Sequence, residues 1–118
     1  MTAKSTYDIT SMDVSHIWRR LRDSAKKRNI PFDLSLTDIT DIGFPLSCPV
    51  LNVPIYFNRG KPQWDSISYD RIDSALGYTR DNLVVVSFKA NRIKSDYTIA
   101  DMEKVLNYYK MLETNYDT

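Results

Sequence analysis

One cysteine and one histidine in 118 residues close off several common chemistries. Cys48 alone cannot form a disulfide within the chain. Together with His16 it falls short of the roughly four ligands that a Cys/His zinc site takes from one molecule. Nucleophilic catalysis of the Ser–His or Cys–His kind would have to run through His16. There is no apolar run long enough to span a bilayer, and no signal-type apolar core follows Met1. The chain therefore reads as soluble and cytoplasmic, with no membrane partner. Neither sign of charge dominates: the formal net charge is +1, so the placement of charge, not its total, has to identify a partner.

What is present is ordinary in amount. Apolar residues at 42% and charged residues at 26% match a globular chain, and the length suits one small domain. Residues 1–11 are polar and unpatterned and read as a flexible leader before a single domain over 12–118. From Asp13, placed to cap the N-terminus, Val14, Ile17, Trp18, Leu21 and Ala25 recur at helical spacing. Arg19, Arg20, Arg22, Lys26, Lys27 and Arg28 stand opposite them, and Asn29 and Pro31 end the helix. Phe32, Leu34 and Leu36 alternate like a short strand. Residues 37–58 read as irregular, with Cys48, Val50, Leu51 and Ile55 packing beneath the rest. Ile67 and Tyr69 alternate with Ser68 and Asp70 as a half-buried strand does, Gly77 closes a turn, and Leu83–Val86 is the strongest strand signal. Ser87 caps a short helix carrying Asn91 and Lys94. Thr98 and Asp101 form a capping box for a last helix, whose Met102, Val105, Leu106, Tyr109 and Leu112 make a packing stripe. The expected fold is α+β, a small single domain with a hairpin–helix unit over about 66–95 between N- and C-terminal helices.

Within that unit the order S-Y-D-R-I-D, then G-Y, N-L, S, A-N and K resembles the HNH, or His-Me finger, nucleases, and most closely their phage-type D-R-I-D subgroup. The stretches A-K-K-R-N-I-P-F-D-L-S-L-T-D-I and C-P-V-L-N-V-P-I are similar to that subgroup as well, so the resemblance covers most of 16–105. It implies a ββα-metal unit and a phage-encoded, metal-dependent endonuclease that nicks or cuts DNA. It also implies a set of catalytic positions: Asp70, Arg71, Asn82 and Asn91. Asp70 and Asn91 would hold one Mg²⁺ or Mn²⁺ ion, and Asn82 would brace the turn. Oxygen donors of this kind suit hard cations independently of any resemblance. A Lewis acid on phosphate oxygens is what phosphodiester hydrolysis requires. Arg19, Arg20, Lys26, Lys27, Lys89, Arg92 and Lys94 are the candidate DNA-backbone contacts.

One departure matters for mechanism. Arg71 stands where the family's water-activating histidine usually does, and a guanidinium does not act as a base. Arg71 is instead a candidate phosphate clamp or a salt-bridge partner. Water activation is left to Asp73, Tyr69, another residue or the metal, although Asp73 suits turn duty better. For His16 a capping or solvent role outweighs a catalytic one. Trp18 belongs to the core stripe rather than to a base-stacking platform. Two other functions stay open: a catalytically silent DNA-binding module of the same shape, and a protein-interaction or inhibitor module using Tyr108, Tyr109 and Tyr116. No appended sequence reader is visible, and a double-strand cut would be easiest for a homodimer.

Overall fold

The computed structural model describes residues 8–95 and 97–116, the last of them, Tyr116, by its backbone alone. Residues 1–7 of the expected leader lie outside the described residues. The first helix, α1, runs from Ser11 to Lys27, two residues ahead of the expected start. Thr10 is its N-cap. The Thr10 hydroxyl accepts from the Asp13 N–H at 3.2 Å, and the Asp13 carboxylate accepts from the Thr10 N–H at 3.0 Å. Asp13 therefore completes a capping box from the third position instead of capping the helix itself.

After α1 the chain makes a two-residue strand β1 (Phe32–Asp33) and a second helix α2 (Leu36–Ile42). Helix α2 corrects the expectation that residues 37–58 are irregular throughout. Its cap is a second reciprocal box, Ser35 with Asp38, and Ile39 is its buried anchor. An irregular segment follows and crosses beneath the remaining elements. Strand β2 (Ile67–Arg71) pairs antiparallel with β4 (Leu83–Ser87), with Ile67 opposite Ser87 and Arg71 opposite Leu83. The link between them, residues 72–82, is longer than a tight turn. It contains β3 (Tyr78–Thr79), which pairs in parallel with β1, and one 3-10 turn (Arg80–Asn82). Helix α3 (Phe88–Lys94) follows β4 at once, with the Ser87 hydroxyl accepting from the Ala90 N–H as its cap. Helix α4 (Ile99–Tyr116) starts at the expected Thr98–Asp101 box. The fold is thus α+β, with four helices and two two-stranded sheets among the described residues.

Two apolar clusters hold these elements. Ile17 and Ala25 of α1, Leu34, Ile39, Phe57, Tyr78 and Leu83 form one; Cys48, Ile55, Val85, Val86 and Ala90 form the other. Ile67 and Tyr69 pack against both, so β2 is the seam between the two cores. Val50 is exposed and does not join the packing expected of it. Trp18 does join the core side: its indole N–H donates to the Leu34 carbonyl at 2.6 Å and its ring meets Phe32 edge-on. The stripe expected on α4 stays in solvent. Val105, Leu106 and Tyr109 are half or more exposed, and none of them joins either apolar cluster of the described residues. The molecule measures 55 × 33 × 22 Å along its principal axes.

Candidate functional site

Period-two alternation along β2 turns Ile67 and Tyr69 toward the cores and leaves Ser68 and Asp70 together on the alternate positions. Helix α3 is fastened to exactly those two residues. Asn91 donates its amide N–H to the Ser68 hydroxyl at 2.7 Å and to the Tyr69 carbonyl at 3.3 Å. One turn further on, Lys94 places its ammonium 2.7 Å from Asp70 Oδ2 and 2.7 Å from the Arg71 carbonyl. A carbonyl can only accept, so the Asn91 nitrogen faces Tyr69 and its Oδ1 faces the other way. Asp70 Oδ2 is taken by Lys94, leaving Oδ1 as the uncommitted oxygen. Both residues line one cavity of about 330 Å³, shared with Arg28, Arg71, Arg92 and Ser95.

The link between β2 and β4 is braced by two buried polar side chains. Asn82 Oδ1 accepts from the Asp73 N–H at 2.9 Å, while its amide donates to the carbonyls of Asp73 at 3.1 Å and Gly77 at 2.8 Å. Arg71 is buried as well. Its Nη1 donates to the carbonyls of Ser74 and Leu76, both at 2.8 Å, and its guanidinium lies 5.4 Å from the centre of the Tyr78 ring. Carbonyl oxygens and an aromatic face, not an acid, are therefore its partners; the alternative of a salt bridge to Asp73 does not occur. Asp73 Oδ1 accepts from the Ala75 N–H at 2.9 Å, a turn-forming bond. The Tyr69 hydroxyl is buried with no hydrogen-bond partner among the described residues, and burial pushes its ionisation far above the ordinary tyrosine range. It stays protonated at neutral pH and does not serve as a base.

The expected backbone-binding cations separate into groups. Arg92 lines the cavity that contains Asp70, with its guanidinium 5.9 Å from the centre of the Phe88 ring. Arg20 lines a neighbouring cavity. Arg19, Lys26, Lys27 and Lys89 are exposed and belong to neither. Lys94 is half-buried and committed to Asp70, so an internal ion pair takes the place of the phosphate contact expected of it. The neighbouring cavity, of about 280 Å³, lies between α1 and the β2–α3 face. His16, Arg20, Ser24 and Arg28 line it at intervals of four residues along α1. That i, i+4 stripe is visible in the sequence, and Arg28 was counted on the basic face, but His16 and Ser24 were not expected at a site, because α1 was divided only into an apolar and a basic face. Asn91, Tyr69, Tyr78, Phe88 and Arg28 line both cavities.

Cys48 is fully buried in the second cluster, as a small core residue. Its sulfur also accepts from the Ser87 N–H at 3.2 Å and the Leu51 N–H at 3.5 Å. Burial works against the thiolate, but the Ser87 hydroxyl, together with the backbone N–H groups of Leu51, Ser87 and Val50, outweighs it and pulls the thiol pKa below its ordinary value. Among the described residues no three His, Cys, Asp or Glu side chains gather into a metal-binding group. A cation in the Asp70 cavity would have one carboxylate and one amide oxygen from protein, which fits a hard ion that keeps several waters.

A relative comes from phage T4. It is the "Uncharacterized 29.0 kDa protein in dda-modA intergenic region" of Enterobacteria phage T4, 30% identical over 97 residues. The match takes in 80% of this chain and 38% of that protein, so the chain spans well under half of its relative's length. No family profile matches the chain, and no solved structure does. Among the described residues no helix is long and apolar enough to cross a membrane.

Proposed function

We propose that the chain is a phage-type, metal-dependent endonuclease with an HNH-like ββα unit formed by β2, β4 and α3. The observation that carries this reading is the pair of uncommitted oxygens, Asp70 Oδ1 and Asn91 Oδ1, on the wall of one cavity beside Arg28, Arg71 and Arg92. Asp70 and Asn91 would hold one Mg²⁺ or Mn²⁺ ion, which supplies Lewis acidity toward phosphate. Ser68 and the Tyr69 carbonyl orient the Asn91 amide. Lys94 fixes Asp70 in place and offsets its charge while no cation is bound. Arg92 and Arg28 attract the anionic backbone, and Arg71 stiffens the loop over the cavity while presenting one edge to it. Neither Arg71, Asp73 nor Tyr69 is suited to take a proton from water, so solvent or a group outside this trio does so.

The test is plasmid nicking with Mg²⁺ or Mn²⁺ by the wild type, Asp70→Ala and Asn91→Ala. Wild type should nick, and each variant should lose on the order of 10²-fold or more in rate, as expected for loss of a group at the reacting centre. Mn²⁺ should also raise the melting temperature of the wild type but not that of Asp70→Ala, a readout independent of activity. Wild-type activity without divalent metal, or an Asp70→Ala variant as active as wild type, would sink the proposal.

The Lys94–Asp70 ion pair favours a second reading, a nucleic-acid-binding module that does not cleave. An ammonium 2.7 Å from the one carboxylate that lines the cavity among the described residues stands in a cation's place. Salt-dependent DNA binding, with no cleavage in any divalent metal, would select that reading.

A further inference from the structure

The cavity between α1 and the β2–α3 face opens beside the site just described and shares Asn91 and Arg28 with it, while His16, Arg20, Ser24 and Asn58 on its walls have no part in that site. We infer that it is a subsite for one unpaired nucleotide, so that the preferred substrate is single-stranded nucleic acid. This rests on the nucleic-acid reading of the Asp70 cavity and adds the form of the strand to it.

Three features of its walls agree. The first is charge. Arg20 and Arg28 line the cavity and, among the described residues, no carboxylate does, in a chain with 15 acids for its 16 Lys and Arg residues. Such a lining suits an anionic ligand. The second is apolar ring surface: Tyr69 and Phe88 are part-exposed on the wall, with Phe57 and Tyr78 buried behind it, and base-on-ring packing is tolerant of which base is present. The third is hydrogen-bonding capacity at the edge. Asn58 uses its amide N–H groups on Ser66 at 2.7 Å and Asp65 at 3.4 Å, leaving its Oδ1 to accept, and Ser24 adds a hydroxyl. Cation, ring face and polar edge are the three elements that a nucleotide's phosphate, base and sugar ask for.

Size and position decide between strand forms. At about 280 Å³ the space is near the small end of ligand sites and takes one nucleotide, not a base pair. Its shared wall, with Asn91 at the junction, sets that nucleotide next to a phosphate in the Asp70 cavity. A base inside a duplex would first have to be unstacked and extruded to enter, at a cost of a few kcal/mol. An unpaired base enters without that cost.

The experiment is fluorescence anisotropy in EDTA at fixed salt, with labelled oligothymidylate, oligouridylate and a blunt DNA duplex as probes. It uses the full chain and Ser24→Phe, which fills the cavity from α1; Ser24→Leu does the same if the first variant fails to fold. The wild type should bind single strands at least about 10-fold more tightly than duplex, the scale of one base–aromatic stack. Filling the cavity should remove most of that advantage while the duplex affinity stays within about two-fold, since backbone contacts carry it. Better binding of oligouridylate than oligothymidylate assigns RNA as the strand and supports the subsite equally. Duplex bound as tightly as single strands, or a folded Ser24 variant with undiminished single-strand affinity, overturns the subsite. In that case metal-dependent nicking of plasmid would still stand for the Asp70 site. Absence of binding to all three probes, together with absence of nicking, overturns both.

Discussion

At the scale of single residues, the buried polar side chains divide between holding the loop and presenting oxygens. Asn82 is the clearest holder, with three hydrogen bonds closing residues 73–77. Truncating it leaves the Asp73 N–H and two carbonyls without their partner in a half-buried place. Asn82→Ala should therefore cost about 3 kcal/mol in chemical denaturation. Asn82→Asp keeps the acceptor toward Asp73 but sets a carboxylate oxygen against the Asp73 and Gly77 carbonyls, so it should cost at least as much as Asn82→Ala. Asp13 supports a pH prediction. Burial works to raise its carboxyl pKa, but the Thr10 N–H and the paired Arg59 guanidinium outweigh it and hold the value at about 2 against 3.8. A folded-state value below the unfolded one means the unfolded chain takes up the proton first. The stabilisation is then complete above about pH 4 and is lost as pH falls toward 2. It amounts to at most about 2 kcal/mol. Melting temperatures from pH 5 to pH 2 should fall less steeply in Asp13→Asn, from a lower starting point, than in the wild type.

At the scale of elements, the site depends on how the 72–82 link is seated against the α1–β1 corner. The Tyr78 N–H donates to the Pro31 carbonyl at 2.9 Å, and this brings Gly77 directly onto Pro31. A Cβ at position 77 would stand 2.6 Å from the Pro31 oxygen and 2.8 Å from its Cβ, against backbone that cannot swing aside. Gly77→Ala should cost about 1–3 kcal/mol, the range for overpacking, and should loosen the β1–β3 pairing. Amide exchange at Tyr78 and Thr79 in the variant, faster than at the β2–β4 ladder, would show the effect to be local. The same elements show where sequence is informative. The Ser87 cap, the Thr98–Asp101 box and the alternation of β2 are local signals, written within a few residues of one another. Helix α2 carried an equally local signal, the Ser35–Asp38 box, hidden among punctuating prolines and a short apolar count. The alternation from Phe32 pointed to a strand at β1, but β3 carried no signal: two residues are too few for a pattern, and tertiary contact alone pairs them.

At the scale of the whole molecule, α4 stands apart from the two cores. A radius of gyration of 16.2 Å exceeds the roughly 13 Å expected for a compact chain of this size. Its apolar stripe reads as core in sequence, yet Leu106 and its neighbours are solvated in the structure. Leu106→Glu should therefore change the stability of the isolated chain by no more than about 0.5 kcal/mol. A loss of several kcal/mol in a denaturant titration would mean that the stripe is covered in solution.

The sequence by itself determined the α+β class, the hairpin strands, three of the four helices, the caps of α3 and α4, and the residue types around Asp70 and Asn91. All of these follow from neighbours at periods of 2 or 3.6, or from cap spacings of three. The tertiary structure alone decided which charges meet. It gave Lys94 to Asp70 and Arg71 to loop carbonyls, although both had the composition of phosphate contacts. It also turned the His16–Arg28 face of α1 onto the cavity beside Asn91. Pairings of this kind depend on how helices cross strands, and no short-range periodicity encodes that crossing.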